Sequence, residues 1–254
     1  MGDGVRIQAI ERAIMIMNCF TDEEPELRLQ EICDRLDLNK STAHGILNTL
    51  KHHGLMEQDP ETQKYRLGLN LLVLGGKVLN RLDIRTVASP IIKDVCGKTD
   101  ETVHLGILDG TEVVYIDKQE SSQSMRLFTA IGTRYPAYCT GIGKAILAFL
   151  PIEDQAKRIP DQLNRFTANT LKDKREVMEH LKLVKQTGYA IDDEENMEGL
   201  RCVGAPIFNH TGKVVAAVSV AGPSIRMTKE RLPMIADLLC ESAEEISRRL
   251  GYKK

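Results

Sequence analysis

Three groups of residues carry the side-chain types that binding or catalysis requires. The run Gly141-Ile142-Gly143-Lys144-Ala145 has the glycines and the lysine of a phosphate-cradling loop, in which backbone N–H groups approach an anion closely. A Walker-type loop also needs Gly five residues before Gly143 and Ser or Thr after Lys144; Tyr138 and Ala145 stand there. No nucleotide phosphate site is expected. The run still suits a smaller anion, because Gly141 and Ile142 at a helix start would offer backbone N–H groups.

Asp192, Cys202 and Ser219 make the second group. An enzyme could use Cys202 as nucleophile, His104 as base and Asp192 to orient that base. Nothing in the local sequence activates the thiol, and an isolated cysteine ordinarily serves as a small buried apolar residue. No catalytic residue is assigned. The third group, His44, His52 and His53, has no further ligand at metal-binding spacing. The six cysteines (Cys19, Cys33, Cys96, Cys139, Cys202 and Cys240) contain no Cys-x-x-Cys pair, so neither a zinc site nor a disulfide framework is expected. Metal and cofactor are both assigned as none, and the thiols suit a reducing cytoplasm.

The elements that would position these residues can be read from periodicity. Ile7, Ile10, Ile14 and Met17 recur at helical spacing and predict a first amphipathic helix ending near Cys19. Leu29, Ile32, Cys33 and Leu36 mark a second, short helix. After the turn Asp37-Leu38-Asn39, with Asn39 as the expected cap, a third helix runs from about Lys40 to His53. Its apolar stripe is Ala43, Ile46, Leu47 and Leu50, and Gly54 ends it. The opposite face carries Ser41, His44, Gly45, Asn48 and Lys51 and is polar but almost uncharged. Residues 55–58 and 63–67 read as two strands around Asp59-Pro60-Glu61-Thr62. In the second strand Tyr65 and Leu67 alternate with Lys64 and Arg66. A helix, a tight turn, a helix and a two-stranded wing define a winged helix-turn-helix. Its third helix would enter the major groove, and Lys64 and Arg66 would sit near phosphates.

From Leu69 to Leu82 an apolar helix interrupted by Gly75-Gly76 reads as a connector. A helix from about Ile84 to Cys96 follows. Strands are expected around the Asp109-Gly110 turn and from Met125 to Ala130. Helices are expected over 143–150 and 174–186, then a hairpin around His210-Thr211-Gly212, and a long last helix over 229–250. Strands and helices in this arrangement predict an α+β sheet covered on one face.

Composition sets limits on partners. Hydrophobic residues are 42% and charged residues 28%, with no Trp and a net charge of −2. Residues 1–80 hold nine Lys or Arg against twelve Asp or Glu, so DNA affinity must come from local placement of cations and not from bulk attraction. No apolar run is long enough to span a bilayer and no basic-then-apolar leader opens the chain. A cytoplasmic protein without a membrane partner is expected.

The run LRLQEICDRLDLNKSTAHGILNTLKHHGLMEQDPETQKYRLG resembles the helix-turn-helix and wing of the IclR family of bacterial regulators. YPAYCTGIGKAILAFLP and GYAIDDEENMEGLRCVGAPIFNHTGKVVAAVSVAGP agree, in the family's order and spacing. The resemblance implies a GAF-like C-terminal effector domain with an antiparallel sheet, a connecting helix, and dimers that pair into tetramers on operator DNA. Its recognition positions fall on Lys40, Ser41, Thr42, His44, Gly45 and Asn48. Its effector pocket falls on Gly141, Ile142, Asp192, Cys202 and Ser219. Three positions depart from the family's habit. Gly45 stands where Arg is frequent, Arg28 where Ser often precedes the second helix, and Ala221 where members that take small keto acids carry a second Ser.

These observations give the expected organisation: a winged helix-turn-helix over 1–68, a connector over 69–82 and the effector domain over 83–254. The expected function is a homo-oligomeric operator-binding regulator, repression being the expected direction, controlled by a small organic metabolite. A small-molecule enzyme or binding protein whose winged helix serves assembly alone is the competing class, and the uncharged polar face around Ser41 and Asn48 is the feature that separates them.

Overall fold

The computed structural model describes residues 6–79, 83–125, 127 and 129–253. The chain divides into two compact units, Met1–Arg81 and Leu82–Lys254.

In the first unit, helices α1 (Gln8–Met17), α2 (Leu29–Leu36) and α3 (Lys40–His52) precede a hairpin of β1 (Met56–Gln58) and β2 (Tyr65–Leu67) and a helix α4 (Asn70–Leu79). Ile16, Ile32, Leu47, Leu50, Met56 and Tyr65 bury one another, which fixes α3 from behind. Glu31 accepts from the Arg28 N–H at 2.6 Å and closes the start of α2, so the Arg at this cap position is served by the residue three further on. Asn39, expected to cap α3, makes no side-chain cap bond. Asp37 (φ 51°) and Gly54 (φ 66°) take the left-handed conformation that ends α2 and α3.

Two other expectations fail in this unit. The stripe Ile7, Ile10 and Ile14 is exposed, at 60%, 55% and 49%, and α1 enters the core through Ile16 instead. Leu67 is also exposed, at the end of β2 where the chain turns into α4. The start of α4 is tied to the end of α3. Asn70 Nδ2 donates to the His53 carbonyl at 2.9 Å and its N–H to Gly54 at 3.1 Å. A Cβ on Gly68 would lie 2.2 Å from the Gly54 carbonyl oxygen, so only glycine permits this contact.

The second unit is an antiparallel six-stranded sheet flanked by helices. After α5 (Asp83–Thr99) come β3 (Thr102–Asp109), β4 (Glu112–Gln119), β5 (Arg134–Pro136), α6 (Gly141–Leu147), α7 (Ile152–Arg158) and α8 (Lys174–Thr187). The chain then forms β6 (Ala190–Asp193), β7 (Leu200–Phe208), β8 (Val214–Pro223) and α9 (Leu232–Arg249). Strand order is β5-β4-β3-β8-β7-β6. Met125, Leu127, Thr129 and Ala130 are not in a strand, contrary to expectation, while the short β5 and β6 were not anticipated. Arg126 and Phe128 lie outside the described residues.

The sheet is covered on both faces and not on one. Ala88, Ile92, Val95 and the α9 stripe Ile235, Leu239 and Ile246 pack on Val103, Leu105, Val203 and Val218. On the other side Ile142, Ala145 and Ile146 of α6 and Val177, Leu181 and Val184 of α8 pack with Val113 and Ala217. That is why β7 and β8 are buried along almost every residue and read as continuous apolar runs with no alternation to reveal an outer face.

Helix α6 is buried at all seven positions because its backbone lies directly on its neighbours. A Cβ on Gly204 of β7 would stand 2.3 Å from the Gly141 carbonyl oxygen, and one on Gly143 would stand 2.1 Å from that of Ala137. Gly45, in contrast, has nothing within 4 Å of an added Cβ. Gly143→Ala should therefore lower the thermal stability of the second unit by about 1–3 kcal/mol or more. Gly45→Ala should raise that of the first unit by up to about 1 kcal/mol. Circular-dichroism melts check both signs, and a Gly143→Ala protein as stable as the parent would show that α6 is not seated in this way.

Candidate functional site

Two places gather the residues singled out from the sequence. On the first unit, Lys40, Ser41, His44, Gly45 and Asn48 are exposed along one side of α3, and Thr42 is partly buried. The Asn48 amide nitrogen lies 3.3 Å from the His44 ring nitrogen Nδ1, and Thr49 donates to the Gly45 carbonyl at 3.0 Å. Lys51 is withdrawn from this face, since its ammonium donates to Gln58 at 2.7 Å and lies over the Tyr65 ring. An open groove of about 550 Å³ separates α3 from the wing and the start of α2. Arg28, Gln30 and Gln63, which the sequence pattern did not suggest, line it with Lys40 and His44.

The two wing cations differ. Arg66 is held by Glu57 at 3.0 Å and Glu26 at 3.6 Å, whereas Lys64 forms no ion pair among the described residues. The unit presents short hydrogen-bonding side chains in a row, with cations at its borders.

The second place is a partly open cavity of about 270 Å³ in the sheet unit. Gly141, Ile142, Asp192, Cys202 and Ser219 all line it, and so does Ala221. Register explains the convergence. Asp192 pairs with Cys202 across β6 and β7, Cys202 with Ala221 across β7 and β8, and Ser219 with His104 across β8 and β3. Side chains two apart on one strand share a face, so these groups fall on the face that α6 covers.

Other lining residues were not recognised as such. His104 is 1% exposed and stacks on Tyr115 with ring centres 4.5 Å apart. Its Nε2 lies 2.6 Å from the Thr129 hydroxyl, and its Nδ1 is buried without a partner among the described residues. Burial, with help from the Lys118 charge, pulls its pKa down to about 3, so the ring is neutral. Tyr135 and Asn196 complete the wall. The signal available for His104 was its place between Val103, Leu105 and Ile107, which puts it on the strand face opposite to theirs.

Burial pushes Asp192 up to about 7; Lys144 opposes the shift, Glu195 adds to it, and backbone N–H groups of Glu195 and Asn196 oppose it. The first of these N–H groups donates to Oδ1 at 2.8 Å. A carboxyl raised in this way contributes stability present below the ordinary carboxylate range and lost as pH climbs through about 7. Burial, then the Asp192 charge, raises the Cys202 thiol well above its usual value. A thiolate nucleophile is disfavoured there.

Behind the cavity, Lys144 is fully buried in α6. Its ammonium donates to the Ile191 carbonyl at 2.5 Å and to Glu195, and lies 3.5 Å from His180 Nε2. Lys144 is therefore a structural cation and no phosphate ligand.

A winged helix with a polar reading face, and a separate unit enclosing a polar cavity, together define a DNA-binding regulator with a ligand-sensing domain. Residues 9–60 match the IclR helix-turn-helix domain, and residues 76–248 match the bacterial transcriptional regulator IclR C-terminal domain. The Escherichia coli regulator XynR is 38% identical over 247 residues, 97% of this chain and 98% of its own. The Thermotoga maritima IclR crystal structure is 35% identical with a TM-score of 0.80, covering 97% of this chain and all of that one. An IclR homologue from Microbacterium hydrocarbonoxydans, solved with 4-hydroxybenzoate, shares the fold at 23% identity and a TM-score of 0.81, over 96% of this chain and 99% of its own. The chain belongs to the IclR family of bacterial transcriptional regulators.

The buried ion pair generates a stability test. Removing one partner of such a pair leaves an uncompensated charge and costs about 3–5 kcal/mol, whereas replacing both with apolar residues is far milder. Lys144→Met should destabilise by that amount, and Lys144→Met with Glu195→Leu should recover most of it in urea unfolding of the full chain. Equal losses for the single and double variants would mean that the two side chains do not act as a pair.

Proposed function

We propose that the chain represses transcription from a two-fold related operator and that a small organic acid or carbonyl compound in the cavity sets its DNA affinity. On the DNA side, Ser41, Thr42, His44 and Asn48 read base edges in the major groove, Gly45 allows close approach, and Lys40 holds a phosphate. Lys64 and Arg66 contact the flanking backbone, and Arg66 exchanges Glu57 and Glu26 for phosphate as it does so. On the effector side, Gly141, Ile142, Asp192, Cys202 and Ser219 hold the ligand. The observation that carries this assignment is the cavity itself, whose buried His104 Nδ1 has no partner among the described residues. A buried polar atom of this kind calls for an occupant. Ala221 takes away a hydroxyl that a keto acid could use.

Assembly as a dimer or a dimer of dimers is part of the proposal. Ile7, Ile10 and Ile14 on α1 and Leu69 and Leu72 at α4 are exposed at 49–74%, an apolar surface that a second copy would cover. Two reading helices on related half-sites then supply the affinity that one winged helix lacks. The protein works in the cytoplasm on double-stranded DNA. No described helix is long and apolar enough to cross a membrane.

Each good base contact contributes about 1–3 kcal/mol of discrimination. Thr42→Ala with Asn48→Ala should therefore abolish operator binding in a gel shift while leaving oligomer and fold intact. Undiminished binding by that variant would remove α3 from the interface.

Regulation requires the ligand to bind one arrangement of the reading heads better than another. The start of α4 is bonded to the end of α3, and Gly75 and Gly76 lie inside α4 with open space around them. Alanine at both positions should stiffen α4 without steric cost. Effector affinity in calorimetry should stay unchanged, while the effector's influence on operator affinity shrinks; an unaltered response would exclude a hinge at this point.

A further inference from the structure

We propose that the cavity takes up its effector as a hydroxylated monocarboxylate together with one proton from solvent, which is held on Asp192. The proposal rests on the cavity being the effector site and adds the charge state in which the ligand is held.

The charge inventory carries the inference. Among the described residues lining the cavity, Asp192 is the one carboxyl and no Lys or Arg is present. The nearby cations are committed elsewhere. Lys144 of α6 is bound to Glu195 and the Ile191 carbonyl, with His180 of α8 beside it. Lys118 of β4 is bound to Glu120 and to the carbonyls of Leu127 and Thr129. His104 of β3 is neutral. Cys202 of β7, Cys139 of the turn before α6, and Tyr115 of β4 are all pushed upward, chiefly by burial, and stay protonated. Lys144 favours an ionised Asp192 and Glu195 opposes it, and among the described residues no cation is bound to this nearly fully buried carboxyl.

An anionic ligand would place a second carboxylate beside it. Two carboxylates sharing a desolvated site cannot both ionise. With one proton, Asp192 becomes an O–H donor, and a hydrogen bond to an ionised acceptor is short and strong. The Glu195 N–H on Oδ1 keeps the carboxyl oriented in either state. His104 Nδ1, buried without a partner, then serves the ligand's hydroxyl. The proton is available at physiological pH because Asp192 lies at about 7 in the empty cavity.

The test uses the full chain, with 4-hydroxybenzoate as the acidic probe and 4-hydroxybenzamide as its neutral counterpart. Calorimetry in two buffers of different ionisation heat counts protons. Binding of the acid should take up about one proton at about pH 8.5 and almost none at about pH 6, because the free carboxyl is already protonated there. Its affinity should weaken about tenfold per pH unit above about 7, while that of the amide stays flat. Asp192→Asn mimics the protonated carboxyl. It should bind the acid without pH dependence and, at about pH 8.5, at least about tenfold more tightly than the parent. Without ligand, that variant should melt above the parent at about pH 6 and further above it at about pH 8.5, the two drawing level only below about pH 4, where the unfolded carboxyl is protonated as well.

Flat parental binding without proton uptake would overturn the proposal, as would loss of acid binding in Asp192→Asn or matched melts at both pH values. Flat binding abolished by Arg126→Ala would assign the counter-charge to that residue and overturn it too. Failure of both probes to bind at any pH would instead remove the effector-site assignment on which the proposal stands.

Discussion

The seating of helix α6 on strand β7 is the contact on which the sensing unit depends. Gly204 lets its backbone meet that of Gly141 where a side chain would hold them apart, and Gly143 does the same against Ala137. This approach closes the cavity floor with Gly141 and Ile142 and buries Lys144 completely. A buried ammonium needs an anion and further acceptors, so Glu195 and the Ile191 carbonyl are drawn to it. These contacts fix the segment that carries Asp192 and bring charges that adjust a carboxyl raised chiefly by burial. Backbone packing, a buried ion pair and the chemistry of the cavity are one connected arrangement.

The reading unit is organised by a different constraint. Its core is small, and Ile32, Leu47, Leu50 and Tyr65 fix α3 from behind, leaving the other side free of packing duties. That side can then be occupied by short polar groups. The net acidity of the unit is no obstacle, because several carboxylates are tied to its own cations. Arg35 is bound to Glu24, and Arg66 to Glu26 and Glu57. Arg28 and Lys40, which line the groove, form no ion pair among the described residues. Local placement outweighs bulk charge over distances of a Debye length.

Glycine works in opposite ways in the two units. In α6 it permits contact with a neighbouring backbone. In α3 and α4 it sits in open space, where no contact within the unit requires it and where it weakens the helix.

The sequence alone determined the local plan. Apolar spacing, the αL residues after α2 and α3, and the Asp59-to-Thr62 turn marked the winged helix to within a residue or two, because those signals are short-range. Asp109-Gly110 and His210-Thr211-Gly212 located two hairpins for the same reason. Tertiary structure decided everything that depends on which surfaces meet. The α1 stripe has helical period but faces outward, since periodicity gives a face and not its partner. The sheet is covered twice, since strands buried on both sides carry no alternation to say so. Met125, Leu127, Thr129 and Ala130 have strand-like types but lie in no strand, whereas β5 and β6 form beside edges that the longer strands provide. His104 and Asn196 reach the cavity, and Lys144 reaches Glu195 across 51 residues, through β-sheet register and glycine contacts that exist only after the chain has folded.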